Sequence, residues 1–137
     1  MFITRASRHD KGDIGEFLER HGWPVGDIDQ GVFFFARDGA IAGSVRFIEV
    51  APQTLVVQDM VVERSRRGQG IGKELLEGAM SNRGGTLYLR CLDDLSGYYT
   101  SHFSFVEVEE PELPDGVRAH FEAAGPLGGD ARYLKAR

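Results

Sequence analysis

Between Leu55 and Ala79 the chain passes through a β-branched run, Leu55-Val56-Val57-Gln58-Asp59-Met60-Val61-Val62, then a glycine-rich turn, Arg66-Arg67-Gly68-Gln69-Gly70-Ile71-Gly72, then an amphipathic stretch. A strand, a turn and a helix in direct succession aim the free N–H groups of the turn and of the helix N-terminus at one point, which makes a backbone cradle for an anion. Glycines at 68, 70 and 72 permit φ > 0 and let a ligand reach bare backbone. Ile71, Leu75, Leu76 and Ala79 recur at helical spacing, so the helix buries one face on a sheet while its positive end points back at the turn. Arg66 and Arg67 add charge beside that end, and the whole suits a pyrophosphate.

Spacing excludes two common phosphate loops. A Walker A loop ends in Gly-Lys-Ser/Thr, whereas Gly72-Lys73 is followed by Glu74. A dinucleotide fingerprint needs glycine at the sixth place, and the sixth place from Gly68 is Lys73.

The segment resembles the acetyl-coenzyme A site of the GNAT acetyltransferase superfamily, whose signature Arg/Gln-x-x-Gly-x-Gly/Ala follows a strand that ends in a Val-x-Pro-like step. Here Val62-Glu63-Arg64, with Arg64 where proline is frequent, precedes Arg67-Gly68-Gln69-Gly70-Ile71-Gly72. The resemblance implies acetyl-coenzyme A as co-substrate, held at its pyrophosphate by Arg67, Gly68, Gln69, Gly70, Ile71, Gly72 and Lys73. It also implies that backbone N–H groups of Met60, Val61 and Val62 bind the pantetheine and polarise the thioester oxygen. No metal is implied, since His9, His21, His102 and His120 show no ligand spacing and thioester aminolysis needs no Lewis acid.

A chain of 137 residues, 42% hydrophobic and 27% charged, is expected to be one soluble domain, 1–137, with no membrane span. Met1-Phe2-Ile3-Thr4-Arg5 lacks the layout of a signal peptide, and a single cysteine, Cys91, agrees with a reducing compartment; a cytoplasmic location is expected. Cys91 lies in an apolar run and reads as a small buried hydrophobe rather than a nucleophile. The net charge of −5 speaks against a nucleic-acid partner.

The pattern predicts an α/β (α+β) fold: a mixed, mostly antiparallel sheet flanked by helices, which the resemblance makes GNAT-like, with strands splayed at the acetyl-coenzyme A site. An opening strand Met1–Ala6 leads to a helix capped by Ser7 or Asp10, with Ile14, Phe17, Leu18 and His21 on one face and a stop at Gly22. His21 reads as a boundary residue with a local hydrogen bond, and Trp23 as core or as the wall of a substrate pocket. Strands Gly31–Arg37 and Ala40–Val50 are joined by Asp38-Gly39, a type I′ pair, and the run Phe33-Phe34-Phe35 calls for cover on both sheet faces. Thr86–Leu92 should run parallel to Leu55–Val62, since a helix between two strands makes a βαβ crossover. A helix from Asp93-Asp94 through Ser101, a strand Phe103–Val108, a solvated loop Glu109–Pro114, a helix with Val117, His120, Phe121 and Ala124, and a strand Ala131–Lys135 complete the chain.

An acceptor amine attacks the thioester only when neutral, and the departing thiolate leaves best with a proton. The segment Cys91-Leu92-Asp93-Asp94-Leu95-Ser96-Gly97-Tyr98-Tyr99 aligns with the family's second motif so that Tyr99 takes the catalytic tyrosine's place; an earlier gap would give that place to Tyr98. Leu95 stands where an asparagine often contacts the cofactor, and Ser104 where a glycine is usual. For the base, Asp59 is a carboxylate inside an apolar run, with a structural hydrogen bond as its other reading and Glu63, His102 or an ordered water as alternatives. The resemblance thus implies an N-acetyltransferase acting by direct attack in a ternary complex on a primary amine of a small molecule or peptide; the alternatives are another short acyl group, or an acetyl-coenzyme A sensor without turnover. Asp27, Asp29, Asp93 and Asp94, set on segments that border the acceptor side in this fold, predict a cationic acceptor. A homodimer is left open.

Overall fold

The computed structural model describes every residue, Met1–Arg137. Its elements are β1 (Phe2–Arg5), α1 (Lys11–Arg20), β2 (Val32–Asp38), β3 (Ala40–Ala51), β4 (Thr54–Val62), α2 (Ile71–Asn82), β5 (Thr86–Leu92), α3 (Asp93–His102), β6 (Val106–Val108), α4 (Asp115–Ala124) and β7 (Ala131–Ala136). The strands follow the order β1-β2-β3-β4-β5-β7-β6. The β4–β5 pair is parallel, Thr54↔Thr86 to Val56↔Tyr88, as a helix between two strands requires. β1–β2, β2–β3, β5–β7 and β6–β7 are antiparallel. The residues gather into two compact units, Met1–Ile48 with Gln58–Arg83 and Glu49–Val57 with Gly84–Arg137, and β3 and β4 give residues to both.

In the first unit, alternation of the three phenylalanines sets both faces of β2. Phe33 and Phe35 pack with Ile14, Phe17 and Leu18 of α1. Phe34 turns the other way and meets Phe47, ring centroids 5.5 Å apart. Gly43 lies on that second face, where a Cβ would stand 3.4 Å from Leu75 and 3.6 Å from Ile71 of α2. Both faces are therefore covered, as the run requires. Leu75 and Leu76 are 0% exposed, so cutting either to alanine should cost about 2–5 kcal/mol.

Two local expectations are corrected. Asp38-Gly39 does not form a type I′ turn, which needs φ > 0 at both residues. Asp38 remains in β2 opposite Ala40, and Gly39 alone turns the chain at φ +76 after a register shift between Ala36 and Arg37. At the start of α1, Asp10 occupies the cap position, but its carboxylate accepts from the N–H and Oγ of Ser7, at 2.8 and 3.0 Å, instead of from the helix.

In the second unit, Val56 and Tyr88 form a core with Leu113, Val117 and Phe121, the last two from α4. The stretch Glu109–Pro114 is no plain loop. It contains a short 3-10 turn, Glu110–Glu112, in which the Glu109 N–H donates to Glu112 Oε1 at 2.9 Å, and it delivers Leu113 to the core. β6 begins at Val106 rather than Phe103, because Phe103 and Phe105 leave the strand pattern to pack with Tyr99. No helix is long and apolar enough to cross a membrane.

Candidate active site

The turn ahead of α2 has the left-handed backbone expected at Gly68 and Gly70 but not at Gly72, which lies in the first turn of α2. Gly68 has φ +82 and Gly70, the residue capping α2, has φ +80. A Cβ placed on either would meet nothing within 4 Å, so both face open space, and it is the left-handed backbone that calls for glycine there. Glu74 N–H bonds to Gly70 O at 3.1 Å as the first helical link, so the N–H groups of Ile71, Gly72 and Lys73 precede the ladder and have no acceptor within the helix. Ile71, Leu75, Leu76 and Ala79 are all buried and fix the helix. Between β4 and the turn, a 3-10 segment Arg64–Arg66 stores the arginines: Arg66 reaches Asp38 at 3.2 Å, while Arg67 Nε donates to Val62 O at 3.2 Å and stays beside the turn. Bare glycines, unbonded N–H groups and a helix N-terminus fit the pyrophosphate that the sequence suggests.

β4 bends just before Met60–Val62. Asp59 has φ +55, costly for a residue with a Cβ, and its carboxylate is held from three sides. Trp23 Nε1 donates to Oδ1 at 2.8 Å and Gln58 Nε2 to Oδ2 at 3.0 Å. Arg46 Nε lies 2.8 Å from Oδ2 but its N–H is not aimed along that line, so this contact is an ion pair rather than a hydrogen bond. A general base works through a free lone pair, and these partners favour the second reading of Asp59, a structural anchor. Arg46 went unnoticed in the sequence. The signal was there: a guanidinium inside the apolar run Ser44-Val45-Arg46-Phe47-Ile48 is as anomalous as Asp59 inside its own.

Glu63, the next carboxylate, takes Arg20 at 3.1 Å and His21 Nε2 at 3.3 Å. The other ring nitrogen of His21 lies 2.8 Å from Phe17 O, the local bond expected of a boundary residue. Of the four aspartates predicted to make an acidic approach, Asp29 is paired with Lys11 at 2.9 Å and Asp93 with Arg132 at 2.7 Å. That leaves less unbalanced negative charge than the sequence suggests.

The phosphate turn, Met60–Val62 and Asp59 lie in the first unit; Tyr98, Tyr99 and His102 lie in the second, on α3. Tyr99 is partly buried beside Tyr98, Phe103 and Phe105 at centroid distances of 5.2–6.2 Å. Burial, with smaller contributions from Cys91 and Tyr98, pushes its phenol up to about 12, so it keeps its proton. Burial likewise raises the Cys91 thiol to about 11, helped by Glu107, Asp94 and Asp93, which suits an inert core residue. Leu95 is exposed.

A family model for the acetyltransferase (GNAT) domain matches residues 29–103, a span that holds every catalytic and cofactor-binding residue predicted, though not Trp23 and Asp27 on the acceptor side. The chain belongs to the GNAT acetyltransferase superfamily and is an acyltransferase. Solved structures share the fold at low identity. A GNAT-family acetyltransferase from Staphylococcus aureus Mu50 is 19% identical, with a TM-score of 0.67 over 98% of this chain and 96% of that one. The ribosomal-protein-S18-alanine N-acetyltransferase of Escherichia coli is 17% identical, with a TM-score of 0.69 over 98% and 91%. N-acetylglutamate synthase from Neisseria gonorrhoeae, solved with coenzyme A and N-acetyl-glutamate, is 17% identical, with a TM-score of 0.71 over all of this chain but 35% of its own. A search of the curated proteins finds no match.

Proposed function

We propose that these 137 residues form a single acetyltransferase domain. It moves an acetyl group from acetyl-coenzyme A to a primary amine of a small molecule or peptide by direct attack in a ternary complex. The observation that carries this is the turn Gly68–Gly70, where two left-handed glycines open the N-terminus of α2 onto space that no side chain fills. Acetyl-coenzyme A brings the activated acyl group. Arg67 and the N–H groups up to Lys73 hold its pyrophosphate, and N–H groups of Met60–Val62 polarise the thioester oxygen. Tyr99 hands a proton to the departing thiolate. The crowded carboxylate of Asp59 leaves deprotonation of the amine to Glu63, His102 or a water.

The structures of similar fold include an N-acetylglutamate synthase and a ribosomal-protein-S18-alanine N-acetyltransferase, so amino acids and peptides both belong in the test. Thiol release from acetyl-coenzyme A is to be followed with amino acids, polyamines, aminoglycosides and peptides with free N-termini. Turnover with one class supports transfer; tight coenzyme A binding with no turnover on any amine would replace it with a sensor. Longer acyl-coenzyme A substrates in the same assay separate acetyl from other acyl transfer.

A pH profile adds a second check. The acid must be protonated to act, its proton is lost only as pH rises through about 12, and an ordinary tyrosine titrates near 10. kcat should therefore show no loss attributable to the phenol up to about pH 10. An alkaline fall in kcat centred near 9, absent in Tyr99→Phe, would contradict this.

A further inference from the structure

We infer that Arg46 is a positioning residue for the acceptor amine: through Asp59 and three loop carbonyls it holds the segment 23–30, with the half-exposed indole of Trp23, against the bend of β4. The inference rests on the transferase reading proposed above. Arg46 is 2% exposed, and a buried guanidinium is tolerated only when its N–H groups are engaged. Here Nη1 donates to Asp27 O at 2.7 Å and Gln30 O at 3.4 Å, Nη2 donates to Val25 O at 2.8 Å, and Nε forms the ion pair with Asp59. The cation also sits 4.4 Å over the ring of Phe33.

Such a buried pair adds little stability over an apolar residue of the same volume, so its value lies in the conformation that it selects. That conformation is specific. From Val25 to Gln30 the segment has neither helix nor strand, and it is wrapped round the guanidinium by its own carbonyls. It returns to β2 through Gly31, at φ +76, where a Cβ would stand 2.5 Å from Phe47 O. Trp23 is 40% exposed yet fixed by its indole N–H on Asp59 Oδ1. Asp59 is also the residue whose left-handed backbone bends β4 immediately before Met60–Val62, the segment assigned to the thioester. One carboxylate therefore sets both the strand that presents the acyl group and an exposed aromatic surface beside it. An indole there is suited to an aliphatic or cationic amine.

The test uses the full chain and the amine that gives the fastest thiol release in the panel. Arg46→Met should raise KM for that amine tenfold or more, while the calorimetric Kd for coenzyme A stays within about threefold. Because Trp23 is the one tryptophan, its emission should shift to the red in the same variant. Trp23→Phe, a change at a half-exposed site that keeps the fold if Arg46→Met does not, should reproduce the KM effect. The inference is overturned if folded Arg46→Met keeps either the amine KM or the emission of the parent, or if coenzyme A affinity falls as much as amine affinity, which would mark a merely structural role. It is overturned too if Trp23→Phe leaves the amine KM unchanged. If the parent chain turns over no amine, the transferase reading fails and the positioning role with it, while an unshifted emission in Arg46→Met would refute the lock itself.

Discussion

Gly70→Val is expected to abolish coenzyme A binding, with Kd weakened at least 100-fold by calorimetry. Two effects act together. A Cβ at Gly70 would enter space that the protein leaves empty and the pyrophosphate is proposed to fill, and a β-branched residue at φ +80 is strained by about 1–2 kcal/mol. Gly39→Val separates them. Gly39 has φ +76 and equally open surroundings, but it sits at the tip of the β2–β3 hairpin. It should lose comparable stability and keep its affinity. Binding retained in folded Gly70→Val, or lost equally in Gly39→Val, would remove the cradle from the site.

Tyr99→Phe should lower kcat by roughly 10²-fold or more while KM for acetyl-coenzyme A changes little, because it deletes a proton donor and keeps the ring. The aromatic neighbours make this a clean deletion: Phe103 and Phe105 contact the Tyr99 ring itself, at 6.2 and 6.1 Å between centroids, and those contacts survive the change. Tyr98→Phe is the companion measurement. Its ring meets Tyr99 at 5.2 Å and His102 at 5.0 Å, so it shares the cluster and tests which of the adjacent phenols serves. The same fall in Tyr98→Phe, with Tyr99→Phe unaffected, would move the acid by one residue.

What could be read from the sequence is what depends on periodicity and on single-residue backbone freedom. Ile71, Leu75, Leu76 and Ala79 announced the buried face of α2, the phenylalanine run announced two covered faces of β2, and the helix between β4 and β5 required that these strands be parallel. Glycines marked the phosphate turn because only they take its φ angles without strain. The bend at Asp59 was hidden for the converse reason: aspartate tolerates the left-handed region better than most residues, but nothing in an apolar strand pattern places it there, and partners gathered from Trp23, Gln58 and Arg46 by tertiary structure hold it. The β2–β3 link misled because Asp-Gly is a signal for the turn alone, while the register shift that lets Gly39 turn the chain by itself lies upstream at Ala36/Arg37. The partners of Asp29 and Asp93 were equally out of reach, since Lys11 and Arg132 are brought to them by tertiary structure.

The place of β7 bears on how the molecule can be made. Leu87 to Leu92 register against Ala136 to Ala131, and Val106 to Val108 register against Lys135 to Tyr133, so the strand synthesised after both stands between them. On the ribosome, β5 and β6 emerge with this shared neighbour still missing, and each exposes an edge of unpaired backbone that invites pairing with another nascent chain. Until Tyr133 and Leu134 have cleared the exit tunnel, the second unit lacks the strand that joins β5 to β6. The interval between the emergence of β5 and that of β7 is therefore when these edges are most open to mispairing.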